Sequence, residues 1–358
     1  MNIILGVTGS VASVLMSRLR RELIISGNNV KVVVTEKSKS FISEDDLYSY
    51  YDDQSDFKNH YLIDNTIKHI ELRDWADCMV IAPCSANTLA KISNGICDNL
   101  LTSIVRAWNF EKPIYIAPAM NTKMFNHPLT LSQLNIVEDW GMKIIYPTSN
   151  ILACGDIGIG AMAHIKTITN IVNGHRWDLN RFDMNFLPLE NHTGGFGSVR
   201  RGGYHTGVDI YMNPYNSVNS VEEGEVVSIG QFTGEAVGCG WWNDTWQITI
   251  RGKSGNICYG EIEVDDDLKV GDKIERSQYL GHVLKVLKIY PKIDVPYHNV
   301  FMVHMKLMGD DLIEVPDWEI GNKKHKSLLD PTPYLYLSTK RGERNAKERF
   351  RCLINYEI

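Results

Sequence analysis

The chain has 358 residues, of which 44% are hydrophobic and 22% charged, and its formal net charge is -6. At roughly 150 residues per domain this length predicts two or three globular domains, and the composition excludes wholesale disorder. A mildly acidic chain lacking any uncharged apolar run of about 18 residues is expected to have neither nucleic acid nor a membrane as its main partner.

Residues 1–175 alternate between strand and helix patterns. NIILGVTG reads as an apolar strand, SVASVLMSRLRRELIISG as a helix stopped by Gly27, and NVKVVVTEKS as a Val-rich strand. CMVIAPCSAN is a continuous apolar strand, ANTLAKISNGICDNLLTSIVRAW is helical, and KPIYIAPAMN and MKIIYP are further strands. Continuous apolar strands separated by helices predict an α/β domain whose parallel sheet is covered on both faces. Such sheets bind ligands beyond the carboxyl ends of their strands. Residues 176–190 lack periodicity and read as a linker. Short Gly-broken strand patterns then follow: HTGVDIY, GEVVSIG, TWQITIRG, NICYGEIEV, DKIERSQYLGHV and NVFMVHMKL. They predict a separate all-β domain over 191–337, with a charged tail over 338–358.

Seven cysteines without a pairing pattern predict reduced thiols and a cytoplasmic protein. Charges that follow the N-terminal apolar run, rather than preceding it, do not suit a secretory leader. Cys78, Cys84 and Cys97 lie in apolar segments and read as packing residues. The cluster Trp241, Trp242 and Trp246 reads equally as core or as a stacking surface.

The Thr8-Gly9-Ser10 turn leads from a strand into a helix N-terminus, where backbone N–H groups and the helix dipole favour a phosphate. Ser85-Ala86-Asn87-Thr88 ends a second strand of the same sheet and Pro118-Ala119-Met120-Asn121 a third. Neither a dinucleotide fingerprint nor a P-loop is present.

The stretch from His69, HIELRDWADCMVIAPCSANTLAKISNGICDNLLTSIVRAW, closely resembles the phosphopantothenoylcysteine decarboxylases, within the homo-oligomeric flavin-containing cysteine decarboxylases. VTGSVAS, VVVTEKSKSF, PAMNTKMFNHP and ILACGDIGIGAMAH resemble further motifs of that family in the same order. The resemblance implies a Rossmann-like flavoprotein over 1–175 that binds FMN through Thr8, Gly9, Ser10, Val11, Thr35, Lys37, Ser38, Ser85, Ala86, Asn87, Thr88 and Ala119. It implies His69 as catalytic acid/base and Cys154 as the proton donor of the last reductive step. Asn121, Ala153 and Met162 would contact the substrate, a phosphorylated cysteine amide.

The implied reaction converts 4'-phosphopantothenoylcysteine to 4'-phosphopantetheine in coenzyme A biosynthesis. It runs through flavin oxidation to a thioaldehyde, loss of CO2 and re-reduction. The family's assembly implies a trimer or a multiple of trimers, in which His69 serves a neighbour's flavin. Two alternatives stand beside this. One is a decarboxylase of peptide C-terminal cysteines whose β-domain processes or binds the peptide. The other is a non-catalytic regulatory flavoprotein. The chain departs from the family pattern at Phe125, Asp74 and His164, which replace Trp, Arg and Glu.

In the second half, His205 and Asp209 are four apart in HTGVD, and His304 lies in a late strand. Three N/O ligands with one position left is the pattern of catalytic zinc. The region from YHTGVDIY through CYGEIEV and VHMKL to DPTPYL resembles the lysostaphin-type zinc endopeptidases. That resemblance implies a metallopeptidase-like fold with Zn2+ on His205, Asp209 and His304. Met302 and Glu261 replace two histidines of that family, and Glu261 is a candidate general base or extra ligand.

Overall fold

The computed structural model describes residues 1–43, 49–57, 67–152, 155, 157–179, 194–200, 203–240, 242–288, 301–314, 318–319, 322 and 324–338. They divide into two compact units, Met1–His175 and Arg176–Glu343.

In the first unit a parallel sheet runs in the order β2-β1-β3-β4-β5, formed by Asn29–Val34, Asn2–Val7, Cys78–Cys84, Ile114–Pro118 and Lys143–Ile144. Ile3, Ile4, Leu5 and Val7 of β1 are buried, and every residue of β3 is buried, so the sheet is covered on both faces as the continuous apolar runs require. Chain order places α1 (Met16–Ile25), preceded by a 3-10 turn over Val11–Leu15, between β1 and β2. Between β2 and β3 come α2 (Glu36–Lys39), α3 (Asp53–Phe57) and α4 (Lys68–Trp75).

The expected single helix after β3 is two, α5 (Ala86–Ser93) and α6 (Leu100–Arg106). Gly95 has φ +70, a conformation that ends a helix, and Asn99 starts the next with a capping box to Thr102. Two short helices, α7 (Thr122–Phe125) and α8 (Pro128–Asp139), connect β4 to β5. A hairpin of β6 (Thr148–Ile151) and β7 (Ile157–Ala161), not expected from the sequence, precedes α9 (Ile165–Val172).

The second unit is built on an antiparallel sheet. Its strands are β8 (Val208–Tyr211), β9 (Ser217–Asn219), β10 (Gly224–Thr233), β11 (Thr245–Gly252), β12 (Asn256–Val264), β13 (Lys273–Ile274), β14 (Tyr279–Val283), β15 (Met302–Met308) and β16 (Leu328–Leu329). A helix, α10 (Thr332–Ser338), ends the described part, so the segment expected as purely β closes on a helical turn pair.

Residues 176–179, expected in the linker, instead pack within this unit. Trp177 is buried, stacks on Tyr334 at 4.9 Å and donates from Nε1 to Ser254 Oγ at 2.8 Å. Residues 339–358 of the tail lie outside the described residues. Cys78 and Cys84 are buried as packing residues, whereas Cys97 is exposed between α5 and α6. Trp246 is 40% exposed, so it is not core.

Candidate functional site

Strand order 2-1-3-4-5 reverses direction of winding at β1, which opens a crevice beyond the carboxyl ends of β1 and β3. Thr8 and Ser85 meet there. The Thr8 hydroxyl is buried, donates to Pro83 O at 2.8 Å and accepts from Ser85 N at 2.8 Å, tying the two strand ends together. Ser10 and Ser85 each cap the helical turn that follows, accepting from Ala12 N and Thr88 N. The N–H groups of Gly9 and Ser10 make no hydrogen bond among the described residues, which suits an anion at this turn.

Thr35 continues from β2 beside this crevice and its N–H donates to Val7 O at 3.0 Å. Ala119 N donates to Cys84 O, placing the end of β4 next in line. The Ser38 hydroxyl is buried and spent on Thr35 O at 2.6 Å, so it shapes the loop rather than offering a free donor. A Cβ on Gly9 would stand 2.6 Å from Lys37 Cβ, so the two loops approach closely only because Gly9 has no side chain. Gly9→Val is expected to push the Lys37 loop away and cut bound flavin at least ten-fold, read as flavin absorbance per protein chain.

α4 ends at the amino edge of the sheet, where Asn2 Nδ2 donates to Trp75 O at 3.1 Å. Its first turn, carrying His69, points away from that edge. Lys68 lies 5.7 Å from the Tyr51 ring, and Tyr51 pairs with the carboxyl end of β2 through Val34 N. His69, on that first turn, is half-buried. Asn121 caps α7 by accepting from Lys123 N at 2.9 Å, and Met120 N donates to Gly160 O, joining the end of β4 to β7. Met162, just past β7, is buried. Ala153 and Cys154 lie outside the described residues.

The departures have local roles. Phe125 packs edge-on against Tyr146, Asp74 is an exposed partner of Arg73, and His164 caps α9 through Lys166 N.

In the second unit His205, Asp209 and His304 converge. Asp209 on β8 is directly opposite His304 on β15. His205 Nε2, His304 Nδ1 and Asp209 Oδ1 form a triangle with edges of 3.1, 2.6 and 3.1 Å. Donors around a tetrahedral zinc stand about 3.4 Å apart, so this triangle is near the size of a metal face. His205 Nδ1 is 2.9 Å from Gly195 O, an arrangement that fixes a proton on Nδ1 and leaves the Nε2 lone pair aimed inward. Arg200 Nη2 holds the other Asp209 oxygen at 2.8 Å.

Burial raises the Asp209 carboxyl, but hydrogen bonds and charge from His205 and His304 outweigh it and hold the group well below the usual carboxylate range. Burial pushes the His304 imidazole down to about 4 against the opposing pull of Asp209. His304 is therefore neutral at pH 7, and its Nδ1 proton points between Asp209 and His205. A divalent cation would replace that one proton. A Cβ on Gly207 would stand 2.7 Å from His304 Nε2, so the middle of HTGVD must be glycine.

The comparisons with known proteins concern the first unit. Residues 1–176 match the family described as Flavoprotein. A probable phosphopantothenoylcysteine decarboxylase of Arabidopsis thaliana is 45% identical over 173 residues, covering 48% of this chain and 86% of its own length. The chain belongs to this flavoprotein family. The phosphopantothenoylcysteine decarboxylase of Mus musculus is 44% identical over 168 residues, 46% of this chain and 82% of its own. A solved phosphopantothenoylcysteine decarboxylase variant complexed with pantothenoylaminoethenethiol has 42% identity and a TM-score of 0.46 over 48% of this chain and 96% of its own.

Within the flavoprotein unit, the structure brings Thr8, Gly9, Ser10, Thr35, Ser85, Thr88 and Ala119 to one sheet edge. Sequence reasoning missed the Thr8–Ser85 tie, because a hydroxyl between two strand ends leaves no periodic signal. It also missed Arg200, whose only trace was its place five residues before His205.

Proposed function

We propose that the first unit is an FMN-dependent decarboxylase converting 4'-phosphopantothenoylcysteine to 4'-phosphopantetheine. The observation that carries this reading is 45% identity across 86% of a probable enzyme of that name. The crevice fits a phosphorylated cofactor: two N–H groups at a helical start without a partner among the described residues, two capping serines and a glycine at the closest approach. Gly9, Ser10, Val11, Thr35 and Lys37 would hold the FMN phosphate and ribityl side, with Ser38 fixing the loop beneath them. Ser85, Ala86, Asn87, Thr88 and Ala119 would complete the pocket.

When bound, FMN supplies the electron sink that a cysteine carboxylate lacks, and it returns the electrons afterwards. His69 would exchange the proton at the thiol-bearing carbon. Asn121 and Met162, with Ala153, would fix the substrate amide and carboxylate. Cys154 would deliver the proton that restores a saturated thiol. Trimers would let His69 of one copy face the flavin of the next.

The test is the product. Purified protein, yellow with one FMN per chain, should convert phosphopantothenoylcysteine to a product lighter by one CO2 with no hydrogens lost. Loss of two further hydrogens would instead mark an enethiol-forming decarboxylase of the peptide type. An FMN-loaded protein that leaves this substrate unchanged overturns the reading.

A second reading concerns the second unit, favoured by the convergence of His205, Asp209 and His304 within 4.8 Å of one another. We infer a zinc site on a metallopeptidase-like β-fold. Two imidazoles and one carboxylate, with a carbonyl behind His205 and a guanidinium behind Asp209, form a donor set of the right chemistry. Elemental analysis should find about one zinc per chain in the wild type and little in His205→Ala. Equal content in both rejects the site.

A further inference from the structure

Glu261 combines three features that packing alone does not explain. It is a non-glycine residue at φ +65, it is 2% exposed, and its Oε2 has no hydrogen-bond partner among the described residues. Each carries a cost: left-handed backbone strains an L-residue, and a buried unpaired carboxyl oxygen forfeits its hydration.

The local topology shows how the residue is held. On one edge of β12, Gly260 pairs with Gln247 and Ile262 with Trp246, so Glu261 is the extra residue of a β-bulge. On the other edge, β15 pairs as far as Gly260 and β14 begins at Ile262. Glu261 therefore lies outside both ladders, its carbonyl accepting from Leu284 N at 3.2 Å just past β14, and it sits one residue from Gly260, whose opposite number is His304. Bulges re-aim side chains and gather beside functional sites. The charges that act on Glu261 are those of Asp209, Arg200 and Lys306, all of them at or beside the three-donor cluster. Its carboxylate is not among the atoms mutually within 4.8 Å, so it stands outside the donor set.

We propose that Glu261 covers the side of the metal centre that His205, Asp209 and His304 leave free, and selects there a ligand with a hydrogen to give. The ligand class is water or a neutral O–H or N–H compound, and anions are rejected by the carboxylate. This rests on the zinc reading of the second unit. Gly260 lets the Phe232 ring close over this part of the strand: a Cβ there would stand 2.8 Å from that ring, which lies 5.4 Å from the His304 ring.

The test uses the full chain, Co2+ as probe metal and thiocyanate as probe anion. Wild type should take up one Co2+ that His304→Ala loses, and should bind thiocyanate weakly in the cobalt spectrum. Glu261→Gln keeps size and should hold Co2+ about 10- to 100-fold more weakly, as expected for loss of an outer partner. It should also bind thiocyanate at least ten-fold more tightly, which a purely structural role would not produce. Glu263→Gln, on the exposed side of the same strand, should match wild type in both. Glu261→Asp keeps the charge but is one methylene shorter. If the glutamine form does not fold, Asp is read in its place, and a loss of Co2+ affinity of several-fold is expected. Failure of wild type to take up cobalt at the cluster sinks the zinc reading itself. Uptake with unchanged Co2+ and thiocyanate affinities in the Glu261 variants overturns the Glu261 proposal alone.

Discussion

His69→Asn is expected to leave the protein yellow and folded while lowering turnover of phosphopantothenoylcysteine by about 10²- to 10⁴-fold, the range for losing a positioned general acid/base. The residue is half-buried on the first turn of an eight-residue helix whose far end is fixed by Asn2 at the amino edge of the sheet. No side chain caps this helix, and His69 contributes little to its core, which faces inward through Leu72. Asparagine keeps a polar group of similar reach and can hydrogen-bond, but it cannot take up and return a proton near neutral pH. The effect should therefore fall on kcat and spare flavin content. Turnover within a few-fold of wild type would remove His69 from the reaction. A colourless variant would place it in cofactor binding instead.

The first unit was legible because its signals are local. Apolar runs at 2–7, 78–84 and 114–118 read as doubly covered strands, and the Val-rich 29–34 as the edge strand beside them. Parallel order then gathers the turns that follow them at one edge. What stayed hidden was anything set by two segments at once. The break at Gly95 depends on one glycine's left-handed conformation and on Asn99 capping the next helix. The β6–β7 hairpin consists of short strands, TSNI and IGIGA, with little apolar alternation between them.

The second unit was legible in its strands and less so in its site. HTGVD places two donors, but only the pairing of β8 with β15 puts His304 against Asp209 across 95 residues of sequence. Glu261 shows the limit most clearly. As a letter in NICYGEIEV it is a candidate general base or extra ligand through the family resemblance alone, and nothing in that run signals a bulge. The bulge inserts it as an extra residue between Gly260 and Ile262, where its side chain is buried.

Asp209→Asn is expected to abolish zinc retention and to weaken the second unit even when no metal is bound. Asp209 is 2% exposed, and both its oxygens accept hydrogen bonds, a short one from His304 Nδ1 on one side and a charge-assisted one from Arg200 on the other. An asparagine amide must present N–H to one of these donors, so one pair becomes donor against donor, and Arg200 loses its counter-charge. Breaking a buried pair in this way costs about 3–5 kcal/mol, discounted here toward the lower end because the Arg200 side chain is 41% exposed. Urea unfolding in excess chelator, followed by tryptophan fluorescence, measures it.

The pH dependence has a definite sign. The Asp209 carboxyl titrates lower folded than unfolded, so its contribution is present above the ordinary carboxylate range and fades as acid protonates it. His304 is held at about 4 against 6.5 unfolded, so the unfolded chain takes up a proton first and stability also falls between those values. Glu261 acts in the opposite sense: burial raises its carboxyl, with the Asp209 charge adding to the rise, and stability is lost as pH climbs above the ordinary glutamate range. Wild type and Asp209→Asn should therefore differ most at neutral pH and converge below about pH 4, where the wild-type carboxylate loses its advantage. A gap that persists unchanged into acid would mean that Asp209 acts through shape and not through charge.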